Sequence, residues 1–239
     1  MTVSVPGHRV EWFDTLDSTM TVATRLAREH CPHGTIVGAD EQTAGMGRHG
    51  HSWHSEKGTG LYVSIILRLE KTAPVITLAL GIAVQEAIAE LTGLAPDLRW
   101  PNDVLLNGLK CAGILTQLDG DAVIAGIGIN VSQAAFPPEL EATSLLLAGA
   151  TVTRENVLVS LVKAIDRCCA LLQEQGPSAI LRMFEASSSY AAGRRVRVEQ
   201  VDGVVEGVTR GLDPAGFLIV RRDNGQDTTI LAGGERPCS

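Results

Sequence analysis

The chain lacks the marks of several protein classes. Its five cysteines, Cys31, Cys111, Cys168, Cys169 and Cys238, form no CxxC pair and no regular framework, which excludes a disulfide scaffold and favours a reducing compartment. No apolar signal core follows the opening MTVSVPGHRV, and no run of about 18 apolar residues occurs, so the sequence is read as cytoplasmic, without a membrane partner. No GxxxxGK[ST] loop is present. Gly/Ser linkers, repeats and low-complexity tracts are also missing. The formal charge is −7, and the stretch from Tyr190 onward balances seven arginines with seven acids. Without a basic patch, a nucleic-acid partner is not expected.

What is present suits a substantial core: 239 residues, 45% of them hydrophobic. Strand-like runs cover residues 9–14, 35–40, 61–69, 111–118 and 121–129, the last two joined by the tight turn Asp119-Gly120-Asp121. Helical spacing covers 19–30 behind the cap Asp17-Ser18, then 74–91, 154–175 and 177–187, the last with Pro at its first position. Strands and helices mix without strict alternation, which predicts an α+β fold with a mixed, largely antiparallel sheet. After SSSYAAG the texture becomes four short strand runs (194–200, 203–211, 216–222 and 226–233) broken by VDG, DPAG and DNG. Two domains are therefore expected, 1–189 and a small β-barrel of 190–239 packed against it.

Candidate chemistry concentrates in a few stretches. All six histidines lie within the first 54 residues, yet HCPH suits a helix C-terminus and the spacing is loose for a structural metal. GMGRHG has GxGxxG spacing, but the polar HSWHSEKGTG that follows opens no helix, so a dinucleotide fold is not implied. What remains is a glycine-rich loop after a strand, able to face an anion with backbone N–H groups and with Arg48; alone it reads as a polar turn. In RWPNDVLLNGLKCAGIL, Lys110 stands seven residues after Asp103 at the mouth of an apolar run, where a partly buried lysine needs a carboxylate or phosphate. Cys111 points to the opposite strand face and reads as a packed thiol. DSTM offers two hydroxyls at a helix N-terminus, and Asn130 ends the strand GIGIN.

In order, DSTM, EQTAGMGRHGHSW, LYVSIIL, RWPNDVLLNGLKCAGIL and GIGINV resemble the successive motifs of the biotin protein ligases, over nearly the whole chain. The resemblance is to the short class without the N-terminal winged helix. It implies a class II aminoacyl-tRNA-synthetase-like catalytic domain and a Src-homology-3-like C-terminal barrel. It further implies ligation of biotin, through biotinyl-5′-AMP, to a lysine of a biotin carboxyl carrier protein such as that of acetyl-CoA carboxylase, with ATP and Mg2+ required.

Carried to this sequence, the resemblance makes Lys110, Arg48 and Asp103 catalytic. Ser18, Thr19, Met20, Gln42, Gly45, Lys110 and Gly113 would bind biotin. Met46, Gly47, Arg48, Trp53, Asn102, Lys110 and Asn130 would bind the adenylate, with Mg2+ beside Asp103. Two departures stand out. The family loop reads GRGRxGRxW, whereas Met46 and His51 occupy its first and last arginine positions; Met20 follows DST, where Asn is common. A lipoate- or octanoyl-type acyl transferase using a cysteine, and a biotin-binding protein that no longer ligates, are the competing readings. A monomer and a homodimer paired through a sheet edge both fit.

Overall fold

Alternating and all-apolar runs in the first 130 residues form one seven-stranded sheet. The structure is a computed structural model describing residues 3–70, 75–200, 203–231 and 235–237, with backbone alone for His49 and 235–237. The elements are β1 (Val10–Leu16), α1 (Thr19–Arg28), β2 (Thr35–Gln42), β3 (Gly60–Leu67), α2 (Ile76–Thr92), β4 (Asp97–Arg99), β5 (Asp103–Leu106), β6 (Leu109–Asp119) and β7 (Ala122–Asn130). The strand order is β1-β2-β3-β7-β6-β5-β4, antiparallel except for the parallel β1–β2 pair. The helices α3 (Arg154–Gln175) and α4 (Pro177–Ser187) follow.

The two faces of this sheet are filled differently. Leu61, Val63 and Ile65 of β3 join Ile127 and Ile129 of β7 in one core with α2 and α3. Residues one position along face α1 instead: Ile66 and Ile124 pack with Met20, Ala23 and Leu26 in a smaller cluster. α2 is buried around most of its circumference, as an all-apolar helix must be, and stops where Gly93 adopts a left-handed conformation at φ 71°. α1 covers only part of its face, so the rest of the sheet there stays open.

The C-terminal strands β8 (Ala192–Gln200), β9 (Gly203–Leu212), β10 (Leu218–Arg221), β11 (Asp227–Ile230) and β12 (Glu235–Pro237) form a separate antiparallel sheet, in the order β11-β10-β9-β8-β12. Strict alternation drives it: Val196 and Val198 are buried while Arg195 and Arg197, which alternate with them, are exposed. It is fastened to the rest by the Trp100 indole, which donates to the Gly216 carbonyl at 3.0 Å, and by Glu185, which accepts from the Leu212 N–H at 2.7 Å.

The expected α+β fold with a mixed, mostly antiparallel sheet is found. Helices α3 and α4 match their expected bounds, set by the Thr153 cap and by Gly176-Pro177. α1 ends two residues before its expected limit, because His30 turns to φ 56° ahead of Pro32. β4, β5 and β12 are not anticipated from pattern. Pro74 at the expected start of α2, the end of the last expected strand (232–233) and Cys238 lie outside the described residues.

Candidate active site

Above the open part of the sheet lies a cavity of about 730 Å³. Its floor is made by omission. Gly128 of β7 sits opposite Gly113 of β6, and Gly126 sits opposite Ser64 of β3. A methyl on Gly128 would lie 2.4 Å from the Trp53 ring and one on Gly113 2.8 Å from it, so the indole rests on bare backbone. A methyl on Gly126 would meet the Met20 sulfur at 2.7 Å. Larger residues here would fill the groove.

The charged end depends on a bulge. β5 and β6 form a hairpin through Asn107 and Gly108, both with positive φ, the Asn-Gly pairing that such turns favour. Val104 opposes Ala112 but Leu105 opposes Lys110, which leaves Cys111 as the extra residue. The insertion turns Lys110 onto the same face as Asp103 and Gly113, although 110 and 113 would otherwise point apart. Lys110 Nζ lies 2.5 Å from Asp103 Oδ1, and Arg99 holds the other oxygen at 2.8 Å. Lys110 also stands over the Trp53 ring, 5.5 Å from its centre. Arg48 donates to Asn102 Oδ1 at 3.1 Å, while the Asn102 amide donates to the Ile114 carbonyl at 3.0 Å. Burial lowers the pKa of Arg48 and the charge of Asp103 raises it; a guanidinium keeps its proton regardless. The described lining holds four cations (Arg48, Arg99, Lys110, Arg197) and two carboxylates (Asp103, Glu199), so the cavity favours an anion by two charges.

The opposite end is polar and neutral. Ser18 caps α1, accepting from the Met20 N–H at 3.3 Å. Gln42 Oε1 accepts from the Thr19 N–H at 2.8 Å and hydroxyl at 3.1 Å, and the Thr19 hydroxyl meets Ser64 Oγ at 2.8 Å. The glycine-rich segment is a small hairpin: the Trp53 N–H donates to the Gly45 carbonyl at 2.8 Å, the Gly47 N–H to the His51 carbonyl at 2.7 Å, and a single helical turn spans Arg48–Gly50.

Most of the sequence-nominated residues line this cavity: Ser18, Thr19, Met20, Gln42, Met46, Gly47, Arg48, Trp53, Asn102, Asp103, Lys110 and Gly113. Two do not. Gly45 lies behind it, against Ser55 and the Trp53 carbonyl. Asn130 is buried, its amide donating to the Thr143 carbonyl at 2.9 Å, and it ties the segment after β7 to the sheet. Of the Asp103 oxygens, Oδ2 accepts from Arg99 while Oδ1, although close to Lys110, makes no hydrogen bond, and no cluster of three metal-ligating side chains exists among the described residues. Cys111 is fully buried behind the sheet, with burial pushing its thiol up to about 12. Sequence reasoning missed Arg99, Gly126, Gly128 and the contribution of β8. The alternate glycines of AGIGIN were a usable signal, since glycine repeating at period two marks one face of close approach.

Residues 12–133 match the family described as Biotin/lipoate A/B protein ligase, and residues 192–234 match the Biotin protein ligase C terminal domain. The bifunctional ligase/repressor BirA of Bacillus subtilis is 37% identical over 235 residues, covering 92% of this chain and 72% of that protein. The biotin–[acetyl-CoA-carboxylase] ligase of Paracoccus denitrificans is 31% identical over 232 residues, covering 90% and 95%. Among solved structures, the Aquifex aeolicus biotin protein ligase in complex with biotin and ATP is similar, with a TM-score of 0.84, 32% identity and coverage of 96% and 99%.

Proposed function

The chain belongs to the biotin/lipoate A/B protein ligase family, and from that membership and the cavity's chemistry we propose that it ligates biotin to a lysine of a biotin carboxyl carrier protein, consuming ATP. The observation that carries the reading is the convergence of Lys110 and Arg48 at one end of a glycine-floored groove whose other end is neutral and hydrogen-bonding. A ligand with an acidic end, a thin apolar middle and a polar, uncharged head matches that order.

In the first step a carboxylate oxygen of biotin attacks the α-phosphorus of ATP, pyrophosphate leaves, and biotinyl-5′-AMP forms. In the second the amine of the acceptor lysine attacks the acyl carbon, AMP leaves with the bonding pair, and an amide remains. Ser18, Thr19 and Gln42 hold the ureido head, and the valeryl chain runs toward Lys110 along the Trp53 indole, which itself covers Gly113 and Gly128. Lys110 neutralises the carboxylate and then the α-phosphate, the kind of preorganised charge that lowers such barriers. Asp103 orients Lys110, and Arg48, braced by Asn102, retains the adenylate. In this reading Mg2+ would enter with the nucleotide's phosphates, on the Asp103 side of the cavity.

The same reading assigns a class II aminoacyl-tRNA-synthetase-like catalytic domain to residues 1–189 and a Src-homology-3-like barrel to 190–239. The carrier of acetyl-CoA carboxylase is the acceptor, and ATP use in a reducing compartment makes the site of action cytoplasmic. Incubation with biotin, Mg-ATP and a carrier domain labels one lysine and releases pyrophosphate only when biotin is present; neither signal appearing would overturn the proposal. Met46, 44% exposed, and His51 at the cavity wall favour a second reading, a biotin-binding protein without turnover. Biotin binding with no pyrophosphate release would support it.

A further inference from the structure

Ser55 lies outside the cavity wall and 5% exposed, yet it joins the neutral floor to the loop above it. Gln42 Nε2 donates to Ser55 Oγ at 2.9 Å, and that hydroxyl donates onward to the Trp53 carbonyl at 3.2 Å. The direction of this chain is fixed chemically. The Thr19 N–H can only donate, so it must face the oxygen of the Gln42 amide, which turns the amide nitrogen toward Ser55. A hydroxyl that accepts from nitrogen has its one proton left for Trp53. Ser64, Thr19, Gln42, Ser55 and Trp53 thus form a continuous relay with every link at 2.8–3.2 Å.

The relay ends on a residue whose present position is unsatisfied. Trp53 Nε1 is buried and has no hydrogen-bond partner, a state that is costly because the donor has lost its water without gaining an acceptor. The indole is held over Gly113 and Gly128 by its backbone, and the Trp53 carbonyl is where Ser55 grips.

We infer that Ser55 is a positioning residue through which occupation of the Thr19–Gln42 floor sets the position of the Trp53 indole. A hydrogen-bonding head group that competes for the Gln42 amide rotates or reloads it, Ser55 follows, and the Trp53 backbone moves with it. This rests on the reading of that floor as the ureido site.

The test compares Ser55→Ala with Ser55→Cys, which keeps the shape of serine but hydrogen-bonds weakly. Biotin is titrated calorimetrically and by tryptophan emission, with Trp53→Phe isolating the Trp53 signal from Trp12 and Trp100; pyrophosphate release gives kcat and KM separately. Both variants should bind biotin within about threefold of the parent, lose most of the Trp53 emission change, and show kcat lowered about tenfold, the effect of one hydrogen bond. If Ser55→Cys behaves as the parent while Ser55→Ala does not, the role is packing and the inference is overturned. Full Trp53 response in both variants overturns it as well. Failure of the parent protein to bind biotin would instead remove the proposed function beneath it.

Discussion

On one face of the seven-stranded sheet, Ile65 of β3 and Ile129 of β7 are sealed in a core with α2 and α3; on the other, Gly126 and Gly128 of β7 border a cavity. The period of two along each strand lets a single run of sequence serve both ends. The sealed face uses branched side chains, each contributing about 1.5–3 kcal/mol on burial. The open face is defined by missing side chains and by a helix, α1, that covers only part of it. Stability and binding therefore reside on alternate residues, and substitutions on the two faces should fail in different ways.

The largest expected effect lies on the open face. Lys110→Ala should lower biotin-dependent pyrophosphate release by about 10³-fold, the range seen when one preorganised charge donor is removed, while Arg99 still pairs Asp103 and the melting temperature barely moves. A fully active Lys110→Ala protein would remove the role assigned to this residue. Ile129→Ala, on the sealed face and fully buried, should behave inversely, costing about 2–5 kcal/mol in urea unfolding with KM for biotin unchanged. A shift in KM would show that the two faces are coupled. Gly128→Ala is smaller still: its methyl would sit 2.4 Å from Trp53, and displacing the indole should raise KM for biotin about tenfold with little loss of stability. Unchanged KM would mean that the indole can move aside freely.

Much of the sealed face was legible in the sequence, because apolar periodicity and caps are local. Thr153 and Pro177 set α3 and α4 to the residue, and Asp119-Gly120-Asp121 marks the β6–β7 turn. β4 and β5 were not, since three- and four-residue strands on either side of Trp100-Pro101 hold too few positions to show alternation. The open face was legible as residue identities but not as geometry. Asp103 and Lys110 are visible seven apart, yet their ion pair requires the bulge at Cys111, which arises from register and leaves no mark in composition. Arg99 and Arg197 reach the cavity through tertiary folding alone, and Asn130, a strand-ending residue in sequence, turns inward because the segment after it needs an anchor.

Cys111 stands between the faces and gives the smallest effect and the sharpest distinction. It lies next to Lys110, but its thiol donates to the Val104 carbonyl at 3.3 Å inside the core. If the site were a cysteine-dependent acyl transferase, Cys111→Ser would abolish turnover; on the arrangement described here kcat stays within about twofold, and a serine hydroxyl retains the bond to Val104 at a cost of about 1 kcal/mol. The pH dependence of stability supplies an independent reading. Burial pushes the folded thiol up to about 12, whereas an unfolded cysteine ionises near 8.5. The unfolded state therefore binds fewer protons between about pH 9 and 12, so the stability contributed by this group is complete below pH 8.5 and is lost as the pH rises through that window. Cys168 and Cys169, also pushed up to about 12 by burial, act in the same direction. Urea unfolding from pH 8 to 11 should accordingly show Cys111→Ser losing stability less steeply than the parent, by about 1.4 kcal/mol per pH unit for one proton. Parallel slopes would place the Cys111 thiol in contact with solvent, and so on the cavity side of the sheet.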